Sequence, residues 1–144
     1  MTLALAHSRA RTGVCAPPVR VEVYLSPGLP QMQIVGLPAA AVRESRDRVR
    51  AAIQCSQFEM PQRRMIINLA PADLPKDGGR FDLPIALGIL AANGDVSVDA
   101  LGRCEFLGEL ALTGELRAVD GVLPAAVAAA SAGRALIVPA GNGD

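Results

Sequence analysis

Apolar and polar side chains alternate without exception from Val19 to Leu25, and this pattern constrains the fold more than any other feature. The apolar positions are Val19, Val21, Val23 and Leu25, and the intervening positions are Arg20, Glu22 and Tyr24. A period of two residues is typical of a β-strand with one buried face. The chain is therefore built around a sheet, one face of which packs against the hydrophobic core.

Six other segments have the composition of strands. Thr2–Ala10 and Gln31–Val35 also alternate, and the short turns on either side of Val19–Leu25 predict a three-stranded antiparallel meander. Met65–Leu69 is almost wholly apolar, which favours a central position in the sheet. The remaining predicted strands are Phe106–Leu112, its hairpin partner Leu116–Val119, and Ala135–Val138.

Three helices are predicted between these strands. The first begins near Ala39 and fades near Gln57. The second spans Pro84–Ala92, with Asp82 as its cap; it is apolar nearly all round and should lie buried. The third spans Leu123–Ala132 and ends at a glycine. The order β-β-β-α-β-α-β-β-α-β predicts an α+β domain with a mixed sheet and helices packed on one face.

Composition limits the core and the ligands. The 144 residues suit one domain, and only three Phe and one Tyr are aromatic, so the core must be aliphatic. A surface that stacks several nucleic-acid bases on aromatic rings is hard to build from this inventory. Net charge is zero, but residues 1–64 carry +5 and residues 65–144 carry −5. Either the halves neutralise each other, or the first half offers Arg side chains to an anionic partner.

The common cofactor and catalytic motifs are missing from the sequence. Neither GxxxxGK[ST] nor GxGxxG occurs, His7 is the sole histidine, and the three cysteines lack metal-site spacing. We therefore expect no metal, no cofactor and no catalytic residue in this chain. Widely spaced cysteines favour a cytoplasmic protein, and the longest apolar run, Leu83–Ala92, is too short to cross a membrane.

Two polar features remain as candidate binding sites. Arg43, Arg46 and Arg50 follow one side of the first helix, which suits either contact with a DNA backbone or a solvated face with i,i+4 ion pairs. The loop Asp77-Gly78-Gly79 precedes the second helix, which suits either an anion nest or a tight turn. The candidate DNA contacts are Arg43, Arg46, Arg50, Lys76 and Arg80.

Long contiguous motifs resemble those of the ComM/YifB magnesium-chelatase-like AAA+ ATPase family. The most specific run is NLAPADLPKDGGRFDLPIA at residues 68–86. Shorter matches are VGLP at 35–38, RDRVR at 46–50 and LGELALTGELR at 107–117. The resemblance extends from about Leu3 to Pro139, nearly the whole chain.

The resemblance implies a fold and a parent protein. In that family this segment is the N-terminal domain, similar to the proteolytic domain of Lon, with the ribosomal protein S5 domain 2-like fold. Residues 1–139 would form this domain, and residues 140–144 would begin a linker to a motor that binds ATP and Mg²⁺. ComM-like members are hexameric helicases that promote branch migration during natural transformation. The implied partners are the motor domain, neighbouring protomers and DNA, and no membrane.

The similarity to Lon also raises the possibility of a peptidase, which depends on a Ser–Lys dyad. Alignment on Asp77-Gly78 places Arg80 where Lon-type proteases have their serine. Alignment on the Thr113-Gly114 turn places Leu123 near their lysine. Without nucleophile and base, acyl transfer has no chemistry to use.

Three hypotheses follow. The leading one is a non-catalytic accessory domain of a hexameric DNA motor, which gives subunit contacts and weak DNA contacts. The alternative is an oligomerisation or interaction module that does not touch DNA. The least favoured is a Lon-like peptidase.

Overall fold

The computed structural model describes residues 2–36 and 38–142; residues 143 and 144 of the predicted linker lie outside this range. The strands are β1 (Thr2–Arg9), β2 (Pro18–Ser26), β3 (Gln31–Val35), β4 (Arg64–Ala70), β5 (Cys104–Phe106), β6 (Glu109–Leu110), β7 (Leu116–Arg117) and β8 (Ala135–Ile137). The helices are α1 (Ala40–Arg43), α2 (Ser45–Cys55), α3 (Asp82–Ala92), α4 (Val98–Gly102) and α5 (Val122–Ser131).

Six strands form one mixed sheet in the order β3-β4-β2-β1-β5-β8. Strand β2 is antiparallel to both of its neighbours, and the other pairs in the sheet are parallel. The predicted α+β fold with a mixed sheet is confirmed. The predicted meander of the first three strands is wrong, because β4 inserts between β2 and β3 and pairs with both. A strand's period is visible in its own sequence, whereas its partner is set by distant residues.

The alternation that predicted β2 marks the face that carries the core. All four apolar positions from Val19 to Leu25 are buried there, beside Met65, Ile67 and Leu69 of β4. Helix α3 packs directly on this face, as its apolar sequence predicted. A Cβ added to Gly88 would lie 2.7 Å from Cγ2 of Val23, so the helix approaches the sheet at the distance that glycine permits.

Helices α2, α3 and α4 bury their apolar residues in this same core cluster. Helix α5 departs from the predicted arrangement on one face. Arg9, which points away from the face that buries Ser8, donates a hydrogen bond to the carbonyl of Ala128 in α5 at 3.3 Å. The buried α5 residues Ala125 and Ala129 also stand outside the main cluster. Helix α5 therefore covers the opposite face at the β5–β8 end of the sheet.

A buried ion cluster lies beneath α5. The Glu105 carboxylate is 1% exposed and accepts hydrogen bonds from Nε of Arg9 at 2.6 Å and from Nη1 of Arg134 at 3.1 Å. Arg9 also donates to the carbonyl of Ala16 at 2.9 Å. The cluster thereby ties β1 and β5 to the segment between α5 and β8.

The long strand predicted at Phe106–Leu112 is two short strands, β5 and β6, which belong to different sheets. The hairpin predicted after it is confirmed, since β6 pairs antiparallel with β7 and the turn lies at Thr113-Gly114. The side chain of Asn142 is bonded to both backbone groups of Val119, which holds the segment after β8 against the chain that leaves this hairpin. Helix α4 was not predicted; Ser97 caps it by accepting a hydrogen bond from the backbone nitrogen of Ala100.

Candidate nucleic-acid interface

The predicted arginine stripe is solvent-exposed. Arg43 ends α1, and Arg46 and Arg50 follow on α2, after a break in the predicted single helix at Glu44. Within residues 2–36 and 38–142, none of the three arginines forms an ion pair with a carboxylate. Arg43 and Asp47 have the i,i+4 spacing of such pairs, but the structure does not join them among these residues. These three charges remain available to an external anion.

Two of these arginines line a surface groove, which the sequence pattern did not reveal. Arg43 and Arg46 face Pro38 and residues 33–36 of the β3 end across a volume of about 440 Å³. Arg50 is not among the lining residues. The sequence signal that could have indicated this groove is a predicted strand that ends in glycine, followed by a proline and by a helix that carries arginines. Only the three-dimensional pairing of β3 with β4 shows that this segment lies at the edge of the sheet.

Lys76, predicted as a DNA contact, lies inside the protein. Its residue is 1% exposed, and its ammonium group donates hydrogen bonds to the carbonyls of Gly36, at 2.6 Å, and Pro71. Burial lowers the pKa of this lysine. The residue therefore joins the loop before α3 to the end of β3 and does not reach the surface, so the prediction for Lys76 is corrected.

Arg80 is corrected for the same reason. It is 6% exposed, and its guanidinium donates a hydrogen bond to the carbonyl of Asp120. Burial lowers the pKa of Arg80, with Asp120 acting in the opposite direction. The side chain lines a cleft of about 550 Å³ that also contains Asp77, Glu109 and Asp120, so the cleft presents carboxylates as well as Arg.

The predicted anion nest at Asp77-Gly78-Gly79 is already supplied with negative charge. The carboxylate of Asp77 accepts a hydrogen bond from the backbone nitrogen of Gly78 at 2.8 Å. The carboxylate of Glu109 packs against Gly79 so closely that an added Cβ would lie 2.1 Å from its Oε1. An incoming anion would meet two carboxylates here, so the geometry favours the tight-turn interpretation of this loop.

Asp82 holds three elements together and is not the cap that the sequence predicted. It is fully buried in the first turn of α3 and accepts hydrogen bonds from Arg48 Nε at 2.6 Å, from the hydroxyl of Ser45 and from the backbone nitrogen of Leu110 at 3.0 Å. Its hydrogen bond with Arg48 raises the pKa of that guanidinium. The carboxylate thus fixes α2 and the β6–β7 hairpin against α3, which positions the arginine stripe.

The two positions aligned with the Lon dyad carry no nucleophile or base. The guanidinium of Arg80 is hydrogen-bonded close to the start of α5, and Leu123 on that helix is 76% exposed. Among residues 2–36 and 38–142, no three His, Cys, Asp or Glu side chains come together as a metal site. No helix in the same ranges has the length and apolar character needed to span a membrane.

Comparisons with known proteins agree on one family. The family model described as "Subunit ChlI of Mg-chelatase" matches residues 21–142. The chain is 54% identical to "Competence protein ComM" of Haemophilus influenzae over 99% of its own length, and 52% identical to YifB of Escherichia coli over all of it. It is 43% identical to Rv2897c of Mycobacterium tuberculosis over 99% of its length. The chain spans 28% of the length of each of these relatives.

Proposed function

Because the chain belongs to the Mg-chelatase subunit ChlI family, as an N-terminal domain of the ComM/YifB type, we propose that it is a non-catalytic accessory domain of an AAA+ ATPase that processes DNA. Its role is to contact neighbouring subunits and to provide a weak, sequence-independent surface for DNA. The ATP and Mg²⁺ that such a motor uses would bind in the motor domain, outside this chain. We expect the protein to act in the cytoplasm.

The observation that carries the DNA contact is the row of three exposed arginines on α1 and α2, none of which forms an ion pair with a described residue. Guanidinium groups bind phosphate oxygens in a bidentate manner and discriminate little between sequences. With few aromatic side chains for base stacking, affinity would come from phosphate contacts and fall with salt. The name "Competence protein ComM" assigns a role in competence to that relative. The DNA contact that we propose for this chain rests on its exposed arginines.

We expect the double variant Arg46→Ala with Arg50→Ala to bind single-stranded and forked DNA about tenfold more weakly at low salt. Two phosphate contacts are lost, so the slope of log affinity against log salt should shrink by about 1.4 on single strands and about 1.8 on duplex. Fluorescence anisotropy at two salt concentrations measures both quantities. The matched control is Arg103→Ala with Arg117→Ala, which removes the same charge from exposed sites elsewhere. Unchanged affinity and slope in the first variant would exclude the stripe as the DNA site.

A specific observation also favours the interaction module. Helix α5 exposes Leu123 at 76% and Val127 at 62%, one helical turn apart. Adjacent exposed apolar side chains form the start of an apolar patch, and contiguous patches of this kind mark surfaces that another protein covers. Self-association in light scattering, combined with no DNA binding even at low salt, would place this function ahead of DNA contact.

We expect no peptidase activity, since neither Arg80 nor Leu123 can serve as nucleophile or base. Incubation with fluorescently labelled casein should give no cleavage above a buffer control. Casein cleavage that co-purifies with the chain through successive columns, and that persists when inhibitors of common contaminating proteases are added, would contradict this expectation.

A further inference from the structure

The groove beside Arg43 and Arg46 runs along the free edge of the sheet. Four consecutive residues, 33–36, line it. Residues 33–35 belong to β3 and Gly36 follows it. Successive side chains of a strand point to opposite faces, so a groove that all three strand residues line follows the strand's backbone edge. Strand β3 is also the terminal strand of the six-stranded sheet within the described residues. Its outer N–H and C=O groups are therefore available for pairing.

The opposite wall of this groove is cationic. Arg43 and Arg46 line it and form no ion pair within the part of the chain that the structure describes. Nε of Arg46 donates a hydrogen bond to the carbonyl of Arg43 at 3.4 Å, the one side-chain hydrogen bond that either arginine forms with a described residue. A ligand that fits this groove must form backbone hydrogen bonds with the edge strand and present negative charge to these two guanidinium groups.

We propose that this groove binds an extended, acidic polypeptide segment, which adds to β3 as a further strand and places its carboxylates against Arg43 and Arg46. Addition of a strand to an exposed sheet edge is a recurrent mode of peptide recognition, in which backbone hydrogen bonds give affinity and side-chain pockets give specificity. A nucleic-acid strand would satisfy the arginines but has no repeating amide to pair with β3. The chemistry of the whole groove therefore favours polypeptide.

This site goes beyond the proposed DNA contact and does not depend on it. Arg50 belongs to the exposed stripe but does not line the groove. A ligand of the stripe uses all three arginines, whereas a ligand of the groove uses only Arg43 and Arg46. A variant at Arg50 therefore separates the two, because it should weaken the binding of a stripe ligand and leave the binding of a groove ligand nearly unchanged.

The test uses the ¹⁵N-labelled chain and a fluorescein-labelled octapeptide that alternates valine and glutamate. Binding should shift the amide resonances of residues 31–36 and slow their hydrogen exchange. Arg43→Glu and Arg46→Glu should each weaken binding at least about tenfold, since each replaces a charge-assisted hydrogen bond by repulsion. Arg50→Glu, the matched control on the same helix, should change affinity by less than about threefold. All three residues are exposed, so the fold should tolerate these changes.

Two modified probes test the strand pairing itself. One peptide is N-methylated at its odd-numbered residues and the other at its even-numbered residues. Their affinities should differ, because the peptide whose β3-facing amides are methylated should lose binding. A lysine-for-glutamate peptide should not bind. Equal binding of both methylated peptides, or no binding at millimolar concentration, would overturn the proposal. So would displacement of the peptide by an oligothymidylate that shifts the same amides, or self-association of the chain through β3.

Discussion

Replacement of Glu105 by Ala should lower the free energy of unfolding by about 4 kcal/mol, the largest effect expected for a single substitution in this protein. The carboxylate is 1% exposed and, among the residues that the structure describes, is the one ionic partner of Arg9, whose side chain is 8% exposed. Without it, the acceptors left to Arg9 in the described part of the chain would be the carbonyls of Ala16 and Ala128. Removing one member of a buried ion pair leaves a charge that the interior cannot solvate.

Urea denaturation followed by circular dichroism measures this effect. The control is Glu59→Ala, an exposed carboxylate for which a change within about 0.5 kcal/mol is expected. A second variant, Arg9→Met with Glu105→Leu, removes both charges of the pair and should be less destabilised than Glu105→Ala. A loss below about 1 kcal/mol in Glu105→Ala would show that the carboxylate does not neutralise Arg9.

Asp82→Ala should cost about 3 kcal/mol, which corresponds to a fall of about 10 °C in the melting temperature of a domain of this size. The carboxylate is fully buried and joins Arg48, Ser45 and the backbone of Leu110. The effect should be smaller than at Glu105 because the Arg48 side chain is 21% exposed, and water partly solvates the charge that remains. Since Asp82 positions α2, DNA affinity should fall as well.

The control for Asp82 is Asp47→Ala, an exposed carboxylate on α2. It should leave the melting temperature within about 2 °C of the original value. Differential scanning calorimetry of the two variants makes the comparison. Equal melting temperatures would mean that the contacts of Asp82 contribute little to stability.

The elements that could be predicted from the sequence are those that depend on local periodicity. The alternation in β2, the apolar run of α3 and the turn at Thr113-Gly114 all appear where the pattern placed them. The pairing of β3 with β4 could not be predicted, because the alternation in β3 is compatible with pairing to β2 or to β4. Its position at the sheet edge, and hence the groove, depends on a contact between residues about 30 positions apart.

The buried charges were the main source of error at the candidate site. Lys76 and Arg80 belong to a loop rich in Pro, Gly and polar residues, which is typical of an exposed segment, and Asp82 follows that loop directly. In the structure each finds partners from other parts of the chain and becomes buried. Glu105 was overlooked because it precedes the predicted strand at Phe106. A single acidic residue beside apolar strand positions was the sequence signal that could have indicated a buried ion pair.

The exposed arginine stripe was predictable because it depends only on helical spacing. Arg43, Arg46 and Arg50 lie on consecutive helical segments, and all three are exposed. The sequence left open whether acidic neighbours would neutralise them. The structure pairs Glu44 with Arg48 at 3.6 Å and leaves the stripe unpaired among the residues it describes. Whether the stripe is neutralised by acidic neighbours thus depends on the positions of the side chains, which the sequence does not give.

The central claim, that this domain serves an ATP-driven motor, is tested most directly by sequencing the source gene beyond the codon for Asp144. The account predicts an open reading frame that continues into a GxxxxGK[ST] motif and a Walker B acidic residue. These residues would place the phosphate-binding site in the following domain. A stop codon directly after Asp144 would contradict the claim and would favour the freestanding interaction module.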